Sequence, residues 1–251
     1  VYVVGKLYDT DSAVTNSTNI KISATTEFAD NKWAHGVSLV ETRSLPDGLT
    51  IGGDVIESGE IALLGEVSIG GTVHIENGTL NLNSLTMTVS GDVWVRNGSV
   101  NINKGKLYTG GSLMLCDSNK NYSSGYITMK NAEDCVCVNG DMYFRSYWDY
   151  NVFTSGTLEL KGDFTQKNGR VTNNFCASGS HKVILSGEGL QTVSFDSTDS
   201  QFNVLEVKNF SQDGVVFSTA ASIVELNENG CNVTFANGEK TGWTLDGDEV
   251  I

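Results

Sequence analysis

Short runs in which apolar and other residues alternate recur along this chain. Val73-His74-Ile75, Val93-Trp94-Val95 and Met142-Tyr143-Phe144 each put two apolar side chains on one face of an extended segment and the middle residue on the other. Each run follows a glycine and is predicted to be a short strand. A second short strand is predicted at Leu80-Asn81-Leu82 and again at Val100-Asn101-Ile102. Between the two strands stands Asn77-Gly78, then Asn97-Gly98, then Asn168-Gly169, read as a turn whose residues take positive φ.

These elements form one repeating phrase. Gly71 to Leu82 reads GTVHIENGTLNL and Gly91 to Ile102 reads GDVWVRNGSVNI, with further starts at Gly53, Gly111, Gly140 and Gly162 that fall 18 to 29 residues apart. An Asn-Gly hairpin would make each strand pair antiparallel. The repeat, however, spans more than one strand pair, and like residues return at the repeat spacing, so stacking of coil on coil is the better reading. The expected fold is all-β: a single-stranded parallel β-helix, or β-solenoid, right-handed, with coils of about 20 residues. At a spacing of ~4.8 Å, roughly 10 to 12 coils would make a rod of about 50 to 60 Å.

Composition supports this choice. Twenty-eight glycines stand against one proline, Pro46, and Thr, Ser, Val and Asn are abundant, which favours strands and glycine turns over helices. Residues 1–49 fit the phrase poorly and are expected to form an irregular β segment or cap. Residues 50–251 are assigned to the solenoid, with Gly242-Trp243-Thr244-Leu245 resembling the opening of a further repeat. Two excursions interrupt the coils, a polar one at 119–125 and an aromatic one at 146–155.

Thirty acidic residues against sixteen basic ones give a net charge of -14, spread along the chain. Such a surface repels phosphate backbones and anionic lipid heads, so neither nucleic acid nor membrane insertion is expected. The three histidines, His35, His74 and His181, accompany no nucleophile motif such as GxSxG, and no catalytic set is assigned. Asp54, Asp92, Asp141 and Asp163 each follow a glycine, in a column that Thr72 and Ser112 interrupt. They are read as turn residues bonded to their own backbone and not as calcium ligands. Five cysteines without a CxxC spacing imply no metal site, and no cofactor is implied. Cys135 and Cys137 share one strand face and are read as small core fillers, with a bridge from Cys116 left open.

The outward column is the more unusual feature. His74, Trp94, Met114 and Tyr143 are expected to line up on one sheet face, followed two residues on by Glu76, Arg96, Cys116 and Arg145, with Glu76 and Arg96 as cross-strand neighbours. The aromatic excursion carrying Tyr147, Trp148 and Tyr150 is expected to fold over that face. Its flat rings, with Asp149 and Asn151 nearby, would also suit a sugar. The candidate ligand residues are therefore Trp94, Tyr143, Tyr147, Trp148 and Tyr150.

From Gly162 to Asn209 the text runs GDFTQKNG, NFCASGSHKVILSGEGLQTVSFD and SQFNVLEVKN, with SSGYITMKN and VNGDMYF upstream. It resembles the repeat units of β-solenoid regions in secreted or surface-anchored proteins of Gram-positive bacteria, over about residues 50–210. The resemblance implies an extracellular or cell-surface module, a spacer or adhesive segment, with no assigned reaction. Glycans or other surface proteins are the expected partners. The alternative is a carbohydrate-binding module or a polysaccharide-acting β-helix enzyme, which the aromatic residues would serve.

Overall fold

The computed structural model describes residues 61–146 and 151–235 in full and, outside them, the backbone of short strands alone. The described elements are all strands, and they stack as a parallel β-solenoid. A first sheet has twelve strands in chain order, from Tyr2–Val3 to Val233–Phe235. A second sheet has eleven, from Lys32–Trp33 to Thr244–Leu245, and a third has five, from Arg43–Leu45 to Tyr126–Thr128. Eight strands of the first sheet, from Val73–Ile75 onward, lie within the fully described residues.

Like stacks on like. Val73 faces Val93, which faces Leu113, then Met142, Phe164, Val193, Phe217 and Phe235. One step of this column is as short as 18 residues, Phe217 to Phe235, and another as long as 29, Leu113 to Met142. In-register pairing also joins the strands before residue 61, where Lys21 faces Tyr2 and Val55 faces Val37.

Because the pairing is parallel, Asn77-Gly78 and Asn97-Gly98 turn corners and do not close hairpins. Nor do they take the positive φ expected of them. The positive φ values sit one corner later, at Asn83 (51°) and Ser84 (64°), and at Asn103 (45°) and Lys104 (65°). There Leu85 N–H donates to Leu82 O at 2.9 Å and Gly105 N–H to Ile102 O at 2.8 Å, closing tight turns of the I′ kind. Gly98 is needed for a different reason: a Cβ on it would lie 2.5 Å from both the Gly78 carbonyl oxygen and Ile75 Cγ2 of the preceding coil.

The core changes character along the rod. Between residues 61 and 140 it is mainly aliphatic, built from residues such as Ile75, Leu82, Val95, Ile102 and Leu115, all fully buried. After Tyr126–Thr128 the third sheet ends, and large rings take over the core. Phe144, Phe153, Phe164, Phe175 and Phe202 form a contiguous cluster with centroids 4.8 to 5.9 Å apart, mostly edge to face. The irregular backbone there is satisfied by buried amides. Asn174 Nδ2 donates to the Ser146 and Lys167 carbonyls at 2.9 and 2.8 Å, and Gln191 Nε2 donates to those of Leu160 and Gly162 at 3.0 and 2.6 Å.

Candidate functional site

The outer face of the first sheet carries the expected column. His74 faces Trp94, Trp94 faces Met114, and Met114 faces Tyr143, while their strand neighbours Val73, Ile75, Val93 and Val95 point into the core. Glu76 and Arg96 also meet as expected, with Arg96 Nη1 2.7 Å from Glu76 Oε1. The Arg96 guanidinium lies 5.6 Å from the Trp94 ring centroid and braces one side of the indole.

Beside this column runs a ladder of side chains that links coil to coil. Asp92 Oδ1 accepts the Ser112 N–H at 2.7 Å, Ser112 Oγ accepts the Asp141 N–H at 3.1 Å, Asp141 Oδ1 accepts the Asp163 N–H at 2.9 Å, and Asp163 Oδ1 accepts the Thr192 N–H at 2.7 Å. The aspartates therefore cap the backbone of the following coil, not their own turn. Ser112 does not interrupt the column, because its hydroxyl makes the same kind of bond. The preceding glycines make room: a Cβ on Gly111 would collide with Asp92 Oδ1, and one on Gly162 with Asp141 Oδ1. Among the described residues no group of three or more His, Cys, Asp and Glu side chains is placed to hold a metal ion.

Column and ladder together border a groove of about 320 Å³, lined by Trp94, Met114 and Tyr143, by Asp92, Asp141 and Asp163, and by Lys120. Lys120 comes from the polar excursion, whose turn Asp117 organises: Asp117 Oδ1 accepts the Asn119 and Asn121 N–H groups at 2.8 and 2.7 Å, and these bonds hold its carboxyl below the usual range. Lys120 Nζ lies 5.2 Å from the Tyr143 ring centroid, and the Lys120 carbonyl accepts from Tyr143 Oη at 3.3 Å and Arg145 Nη1 at 2.9 Å. Desolvation in this setting raises the Tyr143 pKa. The polar excursion thus packs against the column. Of the aromatic excursion, residues 147–150 with the candidates Tyr147, Trp148 and Tyr150 lie outside the described residues.

One other sequence reading meets the structure differently. On the strand Cys135–Val138 it is Val136 and Val138 that are buried, so Cys135 and Cys137 face outward and do not fill the core. The larger β-branched side chains take the interior. Cys116 is a buried thiol that bridges to neither Cys135 nor Cys137, and burial pushes its pKa up to about 11. His181 is fully buried against Phe153 and Phe175, and desolvation lowers its pKa to about 4, so it is a neutral core residue.

Lys120 was not identifiable from sequence. Its position over Tyr143 depends on the fold of a loop that breaks the repeat, and only its place immediately after the third coil of the column hinted at it.

The fold and this groove define an all-β parallel solenoid with an aromatic and acidic outer face. No family model, no curated protein and no solved structure matches the chain.

Proposed function

We propose that this chain is a structural or adhesive β-solenoid module of an extracellular surface protein and that it carries out no catalysis. The observation that supports this reading is the aspartate ladder. The carboxylates beside the groove, Asp92, Asp141 and Asp163, each accept a backbone N–H of the next coil. A carboxylate engaged in this way serves the rod's cohesion, whereas hydrolysis of a glycosidic bond needs a pair of carboxyls flanking that bond, one to protonate the leaving oxygen and the other to act as base or nucleophile. Incubation of the protein with a panel of polysaccharides tests the reading. No new reducing ends or unsaturated products are expected, and release of product would overturn it.

A second reading is favoured by the groove itself. Trp94 and Tyr143 stand two coil steps apart, roughly 9.6 Å at strand spacing, about the span of a disaccharide. Aromatic faces with carboxylates beside them suit carbohydrate C–H faces and hydroxyls. A glycan array run with wild type, Trp94→Ala and Tyr143→Ala tests it. Binding by wild type that both variants lose supports a carbohydrate-binding face; equal or absent binding in all three leaves the spacer role alone.

A further inference from the structure

The outward cysteines lie on the second sheet, on a different strand set from the groove. Their Sγ atoms are 3.6 Å apart with no bond between them. In register on either side stand Lys106 and Tyr108 on one neighbouring strand, Thr157 and Glu159 on the other. Cys137 Sγ points at Glu159 Oε2, 3.9 Å away, while the other carboxylate oxygen accepts from Ser186 Oγ at 2.7 Å. Two half-exposed thiols in mutual contact, with a lysine on one side and an acid on the other, are not explained by packing.

We propose that Cys135 and Cys137 form a thiol–disulfide exchange site that reacts with low-molecular-weight disulfides and closes to an intrachain bond. Cys135 is the attacking thiol. Its thiolate attacks one sulfur of RS–SR, the S–S bond breaks, and RS⁻ leaves and takes up a proton. Cys137 then loses its proton and attacks Cys135 Sγ in the mixed disulfide, expelling the second RS⁻, which is protonated in turn. The two protein thiols are oxidised to one disulfide and one RS–SR is reduced to two RSH.

The assignment of roles follows from the surroundings. Cys135 shares a hydrogen bond with Cys137, and Lys106 stands beside it, which lowers the Cys135 pKa against the opposing effects of burial and Glu159. Cys137 faces that thiolate and Glu159, and is pushed up, with Lys161 opposing only weakly. A low-pKa attacking thiol next to a high-pKa resolving one is the arrangement that exchange needs. Residues i and i+2 of a strand are roughly 6.6 Å apart at Cα, near the long end of the disulfide range of about 4.4 to 6.8 Å. The closed bond therefore shortens the strand locally and is readily reduced again.

The test is to reduce the protein, remove the reductant, and add oxidised glutathione at neutral pH, following intact mass and mapping the peptides. Wild type is expected to lose two hydrogens, with the bond mapped to Cys135–Cys137 and reversed by dithiothreitol. Cys137→Ser is expected to stop at a glutathione adduct on Cys135, and Cys135→Ser to react at least ~10-fold more slowly than Cys137→Ser. Equal rates for the two variants, a stable adduct without ring closure in wild type, an unreactive wild type, or a bond mapped to Cys176 or Cys231 would each overturn the proposal.

Discussion

Asp141 Oδ1 occupies the space that a Cβ on Gly162 would require, and from there it accepts the Asp163 N–H at 2.9 Å. The Gly-Asp pair is thus a device that acts across coils. Gly111, Gly140 and Gly162 each open a slot for a side-chain oxygen of the coil before, and the residue that follows, Ser112, Asp141 or Asp163, donates its N–H to that oxygen and offers its own side-chain oxygen onward. Gly140 does the same for Ser112 Oγ, which a Cβ would approach to 2.8 Å.

Gly162→Ala should therefore destabilise the rod by about 1–3 kcal/mol, since the added methyl must displace both Asp141 and the Gly140 backbone. Gly189 has nothing within 4 Å of a Cβ, so Gly189→Ala is the control and should change stability by less than about 0.5 kcal/mol. Urea midpoints of the two variants against wild type check this.

Lys104 holds a φ of 65°, a conformation that disfavours a side chain. Lys104→Gly should raise stability by about 0.5 kcal/mol, the relief of the left-handed conformation exceeding the greater flexibility that glycine gives the unfolded chain. The same measurement on Val136→Gly, inside a strand, should show a clear loss.

Asp134 is 1% exposed and accepts the N–H groups of Lys104, Lys130 and Asn131 at 2.5, 2.6 and 2.9 Å. It joins one coil's I′ turn to the next coil's corner. Asp134→Ala leaves three donors without this acceptor and should lower stability by about 2–4 kcal/mol, read from thermal or urea unfolding.

His181 gives the rod a pH dependence. Burial lowers its folded pKa from the ordinary 6.5 to about 4, so between those values the unfolded chain binds the proton that the folded chain refuses. The stability is fully present above pH 6.5 and is lost as pH falls towards 4, by roughly 3 kcal/mol from this residue. His181→Leu should flatten that part of the stability profile, and urea unfolding at several pH values across the window measures it.

Much of the architecture was legible because two periods coincide between Gly71 and Leu115: alternation within a strand and a 20-residue return from Val73 to Val93. That coincidence alone places Trp94 beside Met114 and pairs Glu76 with Arg96. Where a residue's partner lies on another coil, its identity was readable but its reason was not. Gly98 looked like a turn residue and serves close stacking; Asp92 looked like a turn cap and binds the next coil. Alternation also leaves open which of two faces is inward, and at Cys135–Val138 the bulk of valine decides it. Loops that break the repeat, such as the one bringing Lys120 to Tyr143, have no period to read.

The most direct measurement is of Asp141→Ala and wild type together, comparing thermal midpoints and product release on one polysaccharide panel. If the aspartates are coil-to-coil braces in a non-catalytic rod, the variant loses about 1–3 kcal/mol of stability and neither protein cleaves any substrate. Cleavage by wild type that Asp141→Ala abolishes at an unchanged midpoint would contradict the account.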